Sequence, residues 1–272
     1  MTDQRSGATT ELTGRPDRRP WRWRTRWPVP VGMWIAIAIV YPFSALTFRL
    51  RYRHAERLPA RGPVLLVANH VSILDPIACA RLVFDMGRLP HFLAKQSVFT
   101  GLVGVLLRNA GQIPVARFSV DAHTALDAAK ADLDAGNVVV IYPEGSVTRD
   151  PEWWPMQSRT GVARLALTTD AVVLPVAQWG PQRLHDYHAK KLRVRLRTPA
   201  DYLVGEPVDL SALRAEVAAG RPLDAPLLRE TTELIMTRVR DQLAELRGEP
   251  APAAFHPRPG RETPGDLSGT AA

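Results

Sequence analysis

The chain has 272 residues, of which 46% are hydrophobic and 23% are charged, and its formal net charge is +8 at pH 7. These values are ordinary for a globular protein and allow one domain of α/β size or two small ones. The lone cysteine, Cys79, excludes an internal disulfide and a cysteine-rich zinc site.

The positive charge is concentrated at the N-terminus. Residues 1–61 contain twelve arginines and four acidic residues, so the rest of the chain is neutral overall. Residues 31–48 carry no charge, and their length of about eighteen residues is at the lower limit for crossing a bilayer. Arginines lie on both sides of this apolar segment, whereas a spanning helix usually has its basic residues mainly on one side. Symmetric flanks favour a segment that dips into the membrane or lies in its interface.

Residues 21–27 interleave tryptophan with arginine, which suits the headgroup layer of an anionic membrane. Two other interpretations are a buried core helix at 31–48 and nucleic-acid binding by the arginine-rich tract. Nucleic-acid binding does not account for the adjoining apolar segment, so we expect no nucleic-acid partner. We predict monotopic or peripheral attachment to the cytoplasmic face of the inner (plasma) membrane, with membrane phospholipids as partners.

The pattern of the chain predicts four segments. These are a disordered basic tail at 1–20, a membrane-anchoring segment at 21–50, a globular domain at 51–248, and a disordered tail rich in Pro, Gly and Ala at 249–272. Strands are predicted at 64–68, 91–94, 137–142, 172–177 and 192–196, and helices at 119–134, 160–169 and 227–246. This alternation indicates an α/β fold with a single central mixed sheet flanked by helices, preceded by a membrane-embedding helical segment.

The first chemical signal follows the predicted strand at 64–68. His70 and Asp75 are five positions apart, which on a straight helix would leave them about 140° from alignment. They can meet if His70 lies in the loop and Asp75 lies in the first helical turn, and Ser72 has capping-box spacing to Asp75. The carboxylate would then orient the imidazole as a general base. In the alternative interpretation Asp75 only caps a helix that begins at Pro76.

The second signal is the sequence Tyr142-Pro143-Glu144-Gly145-Ser146 at the end of the strand at 137–142. Proline and glycine around a glutamate predict a tight, oriented loop, which could equally be an ordinary strand-ending turn. A serine hydrolase is not expected, because no G-x-S-x-G elbow occurs. A metal site is not expected either, since no second histidine lies at ligand spacing from His70, and 183–191 reads as a solvated loop.

Taken in order, five segments resemble the 1-acylglycerol-3-phosphate (lysophosphatidic acid) acyltransferase family. Asn69-His70-x4-Asp75 and the loop at 142–146 resemble its first and third motifs. Residues 94–99 resemble its lysine-containing segment, 111–117 its second motif, and 173–176 its fourth. Each motif alone is weakly specific, whereas the ordered set is highly specific. The globular domain at 51–248 is therefore expected to be an acyltransferase domain.

The resemblance implies direct transfer of a fatty acyl group from an acyl-CoA or acyl-carrier-protein thioester to the hydroxyl of a lysophospholipid acceptor. His70 would be the base, Asp75 would orient it, and Lys95 and Arg117 would hold the acceptor's phosphate. No cofactor is implied beyond the acyl donor, which is a co-substrate. The loop residues that this assigns to the acceptor site are Glu144, Gly145 and Ser146.

One position departs from the family pattern. An arginine usually follows the Thr/Ser of the third motif, but here that position is Val147, and the next arginine is Arg149. Either Arg149 substitutes for the usual arginine, or the contact with the acceptor's phosphate is partly lost, and we assign Arg149 to the acceptor site on the first interpretation. The apolar stretch at 99–107 is interpreted as core packing rather than as a lining for an acyl chain.

Overall fold

The computed structural model describes residues 30–115, 122–193 and 195–258. Within these ranges the helices are α1 (Val31–Thr47), α2 (Asp75–Asp85), α3 (Gly101–Asn109), α4 (Ala122–Asp134), α5 (Gly161–Thr168), α6 (Ser211–Ala218) and α7 (Ala225–Arg247). The strands are β1 (Phe48–Arg53), β2 (Val64–Ala68), β3 (Pro90–Lys95), β4 (Ile113–Val115), β5 (Val138–Ile141), β6 (Val172–Trp179), β7 (His185–Asp186), β8 (Lys191–Leu192) and β9 (Thr198–Val204).

Seven strands form the central sheet in the order β1-β9-β6-β2-β5-β3-β4. Neighbouring strands are parallel except β6 and β9, which are antiparallel, so the sheet is mixed as predicted. Strands β2 and β5 are buried along their whole length, as expected for valine-rich strands covered on both faces. One face packs against α2, and the other packs against α4, α5 and α7. The carboxyl ends of β2, β5 and β6 therefore meet at one edge, where α/β sheets place ligand sites.

The predicted strand at 192–196 is wrong. Its alternation of leucine with arginine is typical of a strand, but among its described residues, 192–193 and 195–196, only Leu192 pairs, in the hairpin of Lys191–Leu192 with β7. The sheet contains Thr198–Val204 instead, where Pro199 and Asp201 interrupt the apolar pattern. Pro199 is tolerated because β6 pairs with β9 only from Asp201 onward, so Pro199 lies next to β1 alone.

Most of the arginines that follow the apolar segment form ion pairs within the domain. Residues 48–53 form the edge strand β1, which the sequence analysis placed across a domain boundary. Arg51 pairs with Asp201 of β9, Arg53 pairs with Glu245 of α7, and Arg57 pairs with Glu206. Tertiary contacts therefore pair three of the four arginines on this side, whereas Arg49 is exposed.

Helix α1 packs on the domain through one face. It contacts α2 and α3, and Gly32 permits the close approach to α3, since a Cβ there would lie 2.5 Å from the Cβ of Asn109. The opposite face carries an exposed apolar stripe at i,i+4 spacing, which consists of Val31, Ile35, Ile39 and Phe43. Within the described ranges, no helix combines the length and the apolar character that crossing a membrane requires. The predicted membrane-embedding segment is thus a 17-residue helix packed against the sheet domain.

Helix α3 also exposes apolar side chains, contrary to the predicted core role of 99–107. Leu102 is 89% exposed and Val103 is 61% exposed. Only part of the helix faces inward, because its main neighbour is α1 rather than the sheet. We call the exposed apolar side chains of α1 and α3 the apolar face.

The C-terminal segment is ordered further than its composition predicts. The Gln157 amide donates a hydrogen bond to the carbonyl oxygen of His256 at 2.9 Å, and the Arg240 guanidinium lies 5.3 Å from the centre of the Phe255 ring. The prediction of disorder from 249 onward is therefore wrong for 249–258, where one aromatic anchor outweighs the Pro/Ala-rich average. Residues 1–29 and 259–272, including the other predicted tail, lie outside the described residues, and the segment boundaries stay predictions.

Candidate active site

His70 is placed at the carboxyl edge of the sheet by a side-chain clamp. The Asn69 Nδ2 group donates to the Gln178 carbonyl oxygen at 3.1 Å, and the Gln178 amide donates to Asn69 Oδ1 at 2.8 Å. Both side chains are buried. Because Asn69 follows β2 and Gln178 lies in β6, the clamp holds the ends of two neighbouring strands together. The residue after Asn69 is thereby held above the edge of the sheet.

The predicted pairing of His70 with Asp75 is present. Nδ1 of His70 lies 2.8 Å from Oδ2 of Asp75, and the carboxylate is completely buried. The same oxygen accepts hydrogen bonds from the amides of Val71 at 2.6 Å and Ser72 at 2.8 Å. Burial raises the pKa of Asp75, and these hydrogen bonds oppose that rise. With Nδ1 engaged, Nε2 of His70 is the ring nitrogen available to a ligand.

The capping interpretation is half correct. Helix α2 begins at Asp75, and the carboxylate reaches back to the Ser72 amide as in a capping box. The Ser72 hydroxyl, however, donates to the His185 carbonyl oxygen at 3.2 Å, and the Asp75 amide bonds to the Ser72 carbonyl oxygen. Asp75 therefore shapes the turn and orients the histidine at once, so the two interpretations do not compete.

Tyr142 packs its ring against the imidazole of His70, a role that the sequence analysis missed. Its ring stacks on His70 with centroids 4.4 Å apart and an interplanar angle of 23°. Phe92 lies nearly parallel to the other side of the pair, 6.4 Å from the Tyr142 centroid. An aromatic residue directly before the Pro-Glu-Gly loop was the available signal. The stack restricts rotation of the imidazole.

Glu144 does not face a substrate, in contrast to the prediction. The side chain is 1% exposed, and its two oxygens accept hydrogen bonds from the amides of His70 at 2.8 Å and Met156 at 3.0 Å. Burial raises the pKa of this carboxyl to about 8, although both amide donors oppose the rise. Glu144 is thus a positioning residue that ties the histidine loop to residues 154–156.

The other loop residues divide between the cavity and the surface. Gly145 lines the cavity with a φ of 77°, and a Cβ there would lie 2.8 Å from Nε of Arg159. Ser146 instead donates to the Val147 carbonyl oxygen at 3.2 Å. Arg149 is exposed, and its guanidinium lies 4.9 Å from the centre of the Tyr187 ring, away from the cavity lining. Arg159 is therefore the cation that lies beside the loop. The sequence analysis missed it, because Arg159 lies ten residues beyond Arg149, the next arginine after the motif.

A cavity of about 690 Å³ opens beside His70. Its walls come from α1, α2, α3, β3 and the loop after β5, and most of the lining side chains are apolar. The cations that line it are Arg81, Lys95 and Arg159, of which Arg81 lies 3.6 Å from Asp85. Lys95 thus lines the cavity and its role toward a phosphate stays a prediction, while Arg117 lies outside the described residues. The cavity combines a base, cations and an apolar interior.

Two nucleophilic side chains, Cys79 and Ser72, are not available for a covalent intermediate. Cys79 is fully buried, and burial raises the pKa of its thiol to about 12, which leaves it protonated at neutral pH. Ser72 is fully buried, and its hydroxyl is engaged with the His185 carbonyl oxygen. The geometry favours a reaction in which His70 acts directly on a ligand.

The predicted solvated loop around 183–191 is wrong in part, because the ring of His188 stacks on the ring of Trp153 with centroids 3.9 Å apart.

The raised pKa of Glu144 predicts a specific pH dependence of stability. The folded carboxyl titrates near pH 8 and the unfolded one near its ordinary value of 4.5, so its stabilising contribution is complete below pH 4.5 and is lost as the pH rises to 8. Glu144→Gln removes this titration. The Tm of the wild type is expected to fall by several degrees relative to Glu144→Gln between pH 5 and pH 9, measured by thermal unfolding.

The control is Glu233→Gln, which removes the same charge at an exposed position of α7. It should leave the pH dependence of the wild-type Tm unchanged. If the curves of Tm against pH for the wild type and Glu144→Gln run parallel, the raised pKa of Glu144 is contradicted.

Sequence comparisons identify known acyltransferases. The family model described as Acyltransferase matches residues 49–179. The chain is 29% identical over 163 residues to an uncharacterized protein of Mycobacterium leprae (strain TN), covering 54% of this chain and 42% of that protein. It is 27% identical over 131 residues to lysophosphatidylcholine acyltransferase 2 of Rattus norvegicus, covering 46% of this chain and 23% of that protein. The match spans less than half the length of each of these curated relatives.

A solved structure has the same fold. The 1-acyl-sn-glycerophosphate (LPA) acyltransferase PlsC of Thermotoga maritima matches with a TM-score of 0.54 over 79% of this chain and 81% of that chain, at 21% sequence identity. The segment that the family model matches contains His70, Asp75 and the loop at 142–146, at the edge of the sheet described above. Residues 49–179 of the chain therefore resemble the acyltransferase family.

Proposed function

We propose that this protein transfers a fatty acyl group from an acyl thioester to the free hydroxyl of lysophosphatidic acid, giving phosphatidic acid. The observation that carries the proposal is the placement of the His70–Asp75 pair at an apolar cavity that also contains unburied cations. The pair, with 2.8 Å between Nδ1 and Oδ2, supplies a base. The apolar interior suits an acyl chain, and the cations suit a phosphate.

In this mechanism Nε2 of His70 takes the proton from the acceptor hydroxyl as its oxygen attacks the thioester carbonyl carbon. The tetrahedral intermediate collapses with cleavage of the C–S bond, and the departing thiolate takes the proton from the imidazolium. Asp75 stabilises the imidazolium through Nδ1, and the Tyr142 ring adds a favourable cation–π contact. No acyl-enzyme is formed, in keeping with the buried state of Cys79 and Ser72.

The acceptor's phosphate is assigned to the cationic end of the cavity. Arg159 lies against Gly145, close to the loop that follows β5, and Lys95 lies at the end of β3. A guanidinium can bind two phosphate oxygens at once, which makes Arg159 the stronger candidate. Arg117 stays assigned to the phosphate by family resemblance. Arg149 is no longer assigned to it, because Arg149 does not line the cavity.

The fatty acyl chain is assigned to the apolar part of the cavity between α1, α2 and α3. Lining residues from these helices include Ile37, Val40, Ile77 and Leu107. The volume of about 690 Å³ lies within the usual range for small-molecule sites. The donor is acyl-CoA or an acyl-carrier protein, either of which presents the same thioester carbon to His70.

We further infer that the apolar face attaches the enzyme to the membrane that holds its lipid substrate. Helices α1 and α3 contact each other, and both expose apolar side chains, among them Leu102 and Val103 of α3. Both helices also line the cavity, so contact of this surface with a bilayer would bring the cavity close to the lipid. Attachment would be monotopic or peripheral, on the cytoplasmic face of the inner (plasma) membrane.

The catalytic pair gives the decisive test of the reaction. His70→Ala is expected to lower kcat by about 10³-fold, and Asp75→Asn by about 10²-fold with a shifted pH profile, because general-base catalysis contributes about 10²–10⁴-fold. The purified full chain would be given lysophosphatidic acid with acyl-CoA or acyl-carrier-protein thioester. Phosphatidic acid would be measured by mass spectrometry.

A matched control comes from a second His–Asp pair outside the cavity. Nδ1 of His91 lies 2.6 Å from Asp132, so Asp132→Asn alters the same kind of contact, and it should leave kcat within about threefold. Equal losses in Asp75→Asn and Asp132→Asn would contradict a catalytic role for the first pair. Absence of turnover with every lysolipid and thioester would favour a lipid-binding protein without catalysis.

The assignment of the phosphate to Arg159 is tested by two arginine variants. Arg159→Ala is expected to raise the KM for lysophosphatidic acid by about 10–100-fold, since a charged hydrogen-bonded contact contributes about 1.5–3 kcal/mol. Arg149→Ala should leave this KM within about twofold. The reverse outcome would restore Arg149 to the acceptor site. If neither variant changes KM and lysophosphatidylcholine is used equally well, the acceptor is another lysophospholipid, consistent with Val147 at the position where an arginine is usual.

Membrane attachment through the apolar face is tested on neutral vesicles. Leu102→Ser with Val103→Ser is expected to lower the partition coefficient into phosphatidylcholine vesicles by about tenfold or more, because each apolar side chain removed from water contributes roughly 1.5–3 kcal/mol. Leu234→Ser is the control, since Leu234 is an exposed leucine of α7. Co-sedimentation measures binding, and unchanged Tm values show that folding is intact. Equal binding of both variants would rule out the apolar face.

A further inference from the structure

Residues 190–197 form an exposed segment of high positive charge, which we call the basic strip. The segment has five cations in eight positions and no acidic residue. All of its described side chains are exposed, including Leu192 and Leu196, which are 64% and 61% exposed. The cations of the basic strip are Lys190, Lys191, Arg193, Arg195 and Arg197.

The cations of the basic strip are mostly unpaired within the protein. Arg193 lies 3.8 Å from Asp186, and in the described parts of the chain no carboxylate lies within ion-pair distance of the other four. Two of the three arginines of β1 differ in this respect, since Arg51 and Arg53 are both matched by acidic residues. Uncompensated cations close together repel one another, so the strip is arranged for a negative partner.

The backbone at both ends of the strip is strained. Lys190 has a φ of 52° and Arg197 has a φ of 53°, in the left-handed region that non-glycine residues seldom occupy. Glycine would adopt this conformation without strain. Such outliers concentrate at functional positions, where the surrounding structure enforces them. Here they hold long cationic side chains at the two turns that bound the strip.

The strip connects the catalytic loop with the apolar face. At one end Leu192 pairs with His185, whose carbonyl oxygen accepts the hydrogen bond from Ser72. At the other end the Arg197 amide donates to the carbonyl oxygen of Leu46 at 3.0 Å, and Leu46 is an exposed residue at the end of α1. The basic strip is therefore tied at one end to the strand that contacts the histidine loop and at the other end to the C-terminal end of α1.

We propose that the basic strip binds the headgroups of anionic phospholipids and makes the enzyme select anionic membranes over neutral ones. The proposal rests on the membrane attachment inferred under Proposed function. Leucines alternate with the cations and adjoin the apolar face, an arrangement that suits the boundary between headgroups and acyl chains. An acidic protein partner would match the charges but would leave this apolar continuity unexplained.

The test compares full-length variants on vesicles of two compositions. Each basic residue near an anionic surface contributes about fivefold to partitioning. The variant K190Q/K191Q/R195Q/R197Q is therefore expected to lose at least tenfold of the wild-type preference for phosphatidylcholine vesicles containing phosphatidylglycerol over pure phosphatidylcholine vesicles. Salt at 0.5 M should bring the wild type close to the variant, at about the ionic strength where screening becomes strong. Residues 1–29 are present in every protein, so their contribution cancels.

A control variant with the same net charge as the strip variant tests whether the preference for anionic vesicles depends on where the cations lie or only on how many there are. R61Q/R221Q/R229Q/R238Q removes four exposed cations, one before β2 and three near or in α7, and should keep the preference within about twofold. Equal losses in the two variants would overturn the proposal. So would a strip variant that keeps its lipid preference but loses binding to an acidic acyl-carrier protein.

Two further measurements distinguish the strip from folding and from catalysis. K190G/R197G relieves the backbone strain, so its Tm should equal or exceed that of the wild type while its preference for anionic vesicles falls. Acyl transfer in neutral detergent micelles should be unchanged in the strip variant. If the wild type shows no transfer but the strip variant still loses its lipid preference, the proposed reaction fails and the lipid selectivity stands.

Discussion

One carboxylate oxygen organises the candidate active site. Oδ2 of Asp75 accepts hydrogen bonds from the imidazole of His70 and from the amides of Val71 and Ser72. A helix start and an oriented base thus share a single acceptor, and the loop cannot rearrange without exposing buried donors. The catalytic proposal depends on this constraint, because a histidine that rotated freely would not keep Nε2 directed into the cavity.

Burial sets the chemistry of the groups around this oxygen. The pKa of Glu144 is raised to about 8 and that of Cys79 to about 12, in both cases because desolvation penalises the charged form. Glu144 consequently positions the loop rather than contacting a phosphate, and Cys79 stays a protonated thiol. The reactive histidine is the exception, since it lines the cavity and is partly accessible.

The outer surface is organised by the same helices that enclose the cavity. Helices α1 and α3 present apolar side chains outward while they line the cavity inward, and the basic strip runs from the catalytic loop to the end of α1. A lipid substrate likewise combines a charged headgroup with an apolar chain. The proposed membrane-contact surface and the proposed substrate cavity therefore involve the same two helices.

The sequence by itself determined the α/β class, the central strands and the His70–Asp75 pair, because buried β-branched runs and local spacing depend on neighbours along the chain. Only the tertiary structure decided what depends on distant residues. It assigned Glu144 to the amides of His70 and Met156, matched Arg51 with Asp201, and exchanged Arg149 for Arg159 at the cavity. It also replaced the strand predicted at 192–196 with Thr198–Val204. Ion pairs, buried contacts and cavity walls involve residues that are far apart in the chain. A single sequence does not show which of these distant residues the fold brings into contact.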